Sequence, residues 1–171
     1  MRGVPPVALR AAGGWPAPIA ALLLAAWLGA ALYFSVVVTR AAFAVLPSRD
    51  LAGALVGRTL PVLFDGGMFV GIWLIATALL SPRTTPRAAS LGGGIAIAAL
   101  CAFARFAILT RITRLRLAMP AAIDTLSPND PARRAFGQLH ALSVGALGLS
   151  LIIGLAVLIA LAYSLAVVVH D

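Results

Sequence analysis

Four long apolar runs organise the chain, at roughly residues 18–39, 60–80, 89–110 and 141–169. Each holds about 20 residues or more, and a helix rising about 1.5 Å per residue then crosses a hydrocarbon core about 30 Å thick. Inside that core no water bonds the backbone, so each run must fold as a helix that satisfies its own amides. Prolines and arginines mark the ends. Pro18 is allowed in a first turn, and Pro47 stops the first helix after Leu46. Residues 48–60 (SRDLAGALVGRTL) are amphipathic and predict a short helix leading into a second span, which begins near Pro61 and ends at Leu80. SPRTTPR (81–87) closes that span. The third starts near Ala88, and its helical pattern continues beyond the membrane as TRITRLRLAM, as far as Pro120. After a loop at 120–135, Asp130 caps a last helix with Pro131 at its first position.

The predicted fold is all-α: a polytopic membrane protein, built as an antiparallel four-transmembrane-helix bundle with a short amphipathic helix between spans 1 and 2. A flexible lead-in occupies 1–17, and a single domain fills 18–171 with spans at about 18–46, 60–80, 88–118 and 136–169. Small residues recur at four-residue spacing, as Gly67 with Gly71, Ala26 with Ala30 and Ser150 with Gly154, which suits close helix contact in lipid.

Composition narrows the function classes. Hydrophobic residues make up 62% of the chain and charged ones 11%, more apolar surface than a soluble protein of 171 residues can hide. All thirteen basic residues are Arg and all five acids are Asp. The arginines gather at the ends of apolar runs, where they set topology and meet anionic headgroups, so nucleic acid is not an expected partner. Arg49, Arg58, Arg111, Arg114, Arg116, Arg133 and Arg134 fall on one side, and Arg2, Arg10, Arg83 and Arg87 on the other. The positive-inside rule then puts the 47–60 and 111–135 connections in the cytoplasm and both termini outside, although the Arg2 and Arg10 pair pulls the first helix the other way. Cys101 is the one cysteine, so no disulfide forms within the chain.

Ionisable groups at membrane depth are costly and functional by default. Arg40, Asp65, Arg105 and His140 all fall near the arginine-rich interface, and one acid among two arginines and an imidazole can share its charge. Arg40 can equally snorkel to headgroups, whereas Asp65 is too short to do so and needs an arginine or water. His140 is open to three roles: ligand, proton carrier or hydrogen-bonded structural residue. Enzyme motifs are missing: there is no P-loop and no His pair at i, i+4, and GGG at 92–94 lies in an apolar helix. His140 and His170 lie about 45 Å apart along one helix, too far to grip one metal or haem together.

Two stretches resemble a known family: WLGAALYFSVVVTRAAFAVLPSRDLAGALVGRTLPVLFD (27–65) and FGQLHALSVGALGLSL (136–151). They are similar to the four-span family that includes transmembrane protein 205 and many bacterial proteins of unknown function. That family often has Asn where this chain has Leu147. A more distant likeness, through Trp27, Leu28, Gly29 and Tyr33, is to copper resistance protein D and the haem-type four-helix protoporphyrinogen oxidase, whose early-helix histidines are absent here. The resemblance implies a multi-pass protein of a bacterial inner membrane without a settled activity. The leading expectation is a non-enzymatic bundle whose polar cluster (Arg40, Asp65, Arg105, His140 and Ser143) holds the fold and a small ligand or partner. No cofactor is expected. The competing readings are a redox, haem or copper-handling protein using His140, and a small transporter or transporter subunit acting as a homo-oligomer. The expected partners are the lipid bilayer and its anionic headgroups.

Overall fold

The computed structural model describes residues 16–80, 86–119 and 123–170. The expected lead-in therefore lies outside the described residues up to position 15, as do 81–85 of the SPRTTPR turn. Four long helices account for most of the rest: α1, Pro16–Val45; α2, Arg49–Leu80; α3, Arg87–Ala118; and α4, Pro131–His170. A single 3-10 turn, Ile123–Thr125, sits in the α3–α4 loop. No strand occurs among the described residues.

Local chemistry sets the ends. Leu46 is extended (φ −75°, ψ 141°), as the residue before a proline prefers, and α1 stops there. Ser48 accepts the Leu51 N–H at 3.2 Å and starts α2 at once. The amphipathic segment is not a separate helix. It forms the first three turns of α2, which runs unbroken through Pro61. Pro61 removes one backbone donor, leaving the Gly57 carbonyl without its helical partner, a loss membrane helices tolerate. Asp130 Oδ1 accepts the Ala132 N–H at 2.8 Å, so α4 opens with the expected cap and with Pro131 at its first position. Two helices widen into a π turn, over Phe34–Val38 in α1 and Phe103–Ile108 in α3. Neither was expected from the sequence.

The helices form a ring in chain order. α2 packs most extensively on α3, α3 on α4, and α1 on both α2 and α4. Glycines set the closest approach. A Cβ added at Gly71 would lie 2.7 Å from the Gly94 carbonyl oxygen, and one at Gly94 would lie 2.7 Å from the Gly71 oxygen. At Gly67 it would meet Cys101 Sγ at 2.5 Å and Trp27 at 2.8 Å, and at Gly93 it would run into Val157. Ser150 is fully buried with its hydroxyl 3.9 Å from Cys101 Sγ, while Gly154 lies under Leu28. The third spaced pair behaves differently: Ala26 and Ala30 are exposed and make no bundle contact of this kind. Trp27 adds a polar tie between helices, its Nε1–H donating to the Leu63 carbonyl at 2.9 Å.

Only 28–39% of each apolar window is buried inside the bundle. The remainder presents Leu22, Val62, Ile72 and Ile152 outward. Water would not tolerate that surface and lipid would, so the protein is a multi-pass membrane bundle.

The glycine contacts predict an asymmetry. Gly94→Val should destabilise the bundle by about 1–3 kcal/mol through overpacking, read as a lower thermal midpoint in detergent. Gly92→Ala, where a Cβ meets nothing within 4 Å, should be neutral or mildly stabilising. Equal loss at both positions would show that the contact does not set the packing.

Candidate functional site at the arginine-rich end

The α1–α2 connection and the α3–α4 loop share one end of the bundle, where all four helices enclose a cavity of about 430 Å³. Its deepest cation is Arg116, on the extension of α3. Gly53, in the amphipathic start of α2, makes room: a Cβ there would lie 2.7 Å from Arg116 Nη2. The guanidinium lies over the Phe136 ring at 5.3 Å, and Phe136 stacks on the His140 ring at 6.0 Å with 4° between planes. Arg116 Nε is buried without a hydrogen-bond partner.

Arg49 and Arg58 line the same cavity, and neither makes a hydrogen bond or ion pair with a described residue. Asp50, the one acid among the described lining residues, likewise makes no ion pair with a described residue. Of the arginines elsewhere at this end, Arg133 donates to the Leu126 carbonyl at 2.7 Å and Arg134 to Asn129 Oδ1 at 3.0 Å, while Arg40, Arg111 and Arg114 are exposed without polar contact to a described residue. Two hydroxyls on the lining are also spent, since Thr39 donates to the Phe34 carbonyl and Ser143 to the His140 carbonyl. Thr113 keeps its hydroxyl free of described partners. Both π turns end at this site, at Thr39 and Leu109, and such turns often occur at functional positions.

The five residues expected to form one polar cluster separate into three places. Asp65 and Arg105 meet, Nε to Oδ1 at 3.0 Å, with side chains 50% and 33% exposed on the outer face of α2 and α3. Measured along those helices they lie about 22–27 Å from the C-terminus of α2 and the N-terminus of α3, toward the arginine-rich end of the bundle. Arg105 also lies over the Phe106 ring at 5.5 Å. His140 and the buried Ser143 belong instead to the cavity. Arg40 is exposed and joins neither, having no polar contact with a described residue. A common height does not mean a common face, and the helical phase of each residue divides them.

Arg116, Arg49, Arg58 and Phe136 were not picked out from the sequence, where the arginines count only as topology markers. The available signal was the pairing of a small-residue stripe (Gly53, Gly57) with a basic extension (TRITRLRLAM) predicted at the same end. Chemically the site offers several unspent cationic donors in a partly apolar chamber, which suits an anion. The described residues contain no group of three or more His, Cys, Asp or Glu side chains that could hold a metal ion.

No curated protein and no solved structure matches the chain, so the likenesses to transmembrane protein 205 and copper resistance protein D rest on the quoted stretches alone. A family match does cover residues 22–121, which takes in α2, α3 and most of α1, with Arg49, Arg58, Asp65, Arg105 and Arg116, and stops short of α4. Over that match, more than half its length, the chain belongs to the family described as Domain of unknown function (DUF4149).

Proposed function

We propose that this protein is a non-enzymatic bundle of a bacterial inner membrane that binds a small anionic ligand at its arginine-rich, cytoplasmic end. One observation carries the reading: three arginines without polar partners among the described residues, the exposed Arg49 and Arg58 and the half-buried Arg116, line a single cavity. A buried donor left unpaired costs about 1–3 kcal/mol. An anionic oxygen on Arg116 Nε would remove that cost, and a charge-assisted bond in a partly desolvated site is stronger than its surface equivalent. Phe136 and His140 back the guanidinium and hold its plane. The Asp65–Arg105 pair takes no part in this site and serves to hold α2 against α3.

Arg116→Gln should therefore reduce retention of phosphatidylglycerol by the detergent-purified protein about tenfold in native mass spectrometry, the equivalent of one charge-assisted bond. Unchanged retention would refute the anion site. Asp65→Asn should lower bundle stability by about 1 kcal/mol, the scale of interhelical polar contacts in membranes, while Arg40→Gln should leave it unaltered. Equal effects at both would remove the structural role given to the pair. The orientation predicts an active alkaline phosphatase fusion and a dark green-fluorescent-protein fusion at residue 171, and the reverse pattern would invert the topology.

A further inference from the structure

The cavity's charge balance says which anion it takes. Among the described lining residues Arg49, Arg58 and Arg116 face one carboxylate, Asp50, an excess of two positive charges before any contribution from His140. A phosphodiester headgroup brings one negative charge and leaves that excess half met. A phosphomonoester brings about 1.5 to 2 negative charges near neutral pH, with three acceptor oxygens on one atom. We infer that the ligand is a phosphomonoester whose dianionic phosphate sits between Arg116 and the Arg49 and Arg58 pair. This rests on the anion-binding reading above and gives it a chemical class.

Donor geometry points the same way. Three guanidinium groups and the Thr113 hydroxyl approach from two helices, α2 and α3. Three terminal oxygens can be met from several directions at once, whereas a diester offers only two. Beyond the phosphate, Phe43, Leu60, Leu109 and Ile112 provide an apolar wall. Phe43 is itself 48% exposed on the outer surface, so the wall continues toward lipid and can take the start of an acyl or prenyl chain.

The test uses the full chain in neutral detergent, with native mass spectrometry reading retained lipid. Phosphatidic acid should be retained about tenfold more strongly than phosphatidylglycerol of the same chains. Arg49→Gln, at an exposed position on the first turn of α2, should bring the two close to parity by removing one charge. Asp50→Asn should widen the gap, because the added net positive charge on the lining favours a dianion more than a monoanion. Arg111→Gln is exposed at the same end of the bundle but off the lining, and should leave the preference intact; its loss there would reduce the effect to net charge and overturn the assignment. Equal retention of both lipids by the unaltered chain, still dependent on Arg116, would overturn the phosphomonoester while leaving the anion site standing. Retention indifferent to Arg116 would sink both. Displacement of phosphatidic acid by millimolar glycerol 1-phosphate would support a soluble source of the same group, and resistance to it a lipid source.

Discussion

Because lipid is as apolar as leucine, burying Leu24 or Leu74 between helices does not by itself favour the bundle. Close approach does, since it gathers dispersion contacts that disordered chains cannot match. In this protein approach is closest where Gly71 and Gly94 face one another and no side chain intervenes. α2 and α3 accordingly share the most extensive contact in the bundle. Other features build on that contact: the Asp65–Arg105 pair spans the same two helices, and Arg116 meets Gly53 across them.

The continuity of α2 gives this contact its reach. Gly53 and Gly71 are eighteen residues apart, about five whole turns at 3.6 residues per turn, so both face α3. That alignment holds only because the helix passes through Pro61 without a break. Had the amphipathic segment been a separate helix lying on the membrane surface, Gly53 would have had no fixed phase relative to Gly71. Arg116 would then have had no small residue to pack against. The same rod thus sets helix packing at mid-membrane and opens the cavity at its end.

The fold was legible because its signals are local. Run length, the stop at Pro47 and the Asp130–Pro131 cap depend on residues near in sequence and have the expected structural counterparts, whereas Pro61, expected at the start of a span, lies inside α2. The spaced small residues were partly legible: Gly67, Gly71, Ser150 and Gly154 pack, while Ala26 and Ala30 face outward, because four-residue spacing does not say which way a face points. The π turns were invisible, since FSVVV and FARFAI carry no proline or glycine to mark a change of winding. The polar residues expected together fall on different faces of the bundle. Asp65 does meet an arginine, but His140 turns toward Phe136 and Arg116 on another face. Phase over that distance depends on the π turn at Phe103–Ile108 and on the unbroken Pro61, neither of which the sequence discloses.

Polar groups in this bundle fall into two kinds. Trp27, Thr39, Ser143 and Asp65 spend their hydrogen-bonding capacity on the protein itself, as groups surrounded by hydrocarbon must. Arg49, Arg58 and Arg116 make no such bond with a described residue, although Asp50 lines the same cavity and the free carbonyl left by Pro61 belongs to Gly57 beside it. A chain under selection only for stability would pair these groups or replace Arg116 with an apolar residue, as buried ion pairs are often replaced without loss. Away from the chamber, Trp73 Nε1 is also buried without a described partner, and Arg40, Arg111 and Arg114 are exposed without one. What sets Arg116 apart is that its buried, unspent nitrogen belongs to a cation on a cavity wall, where a fold is expected to hold something other than itself.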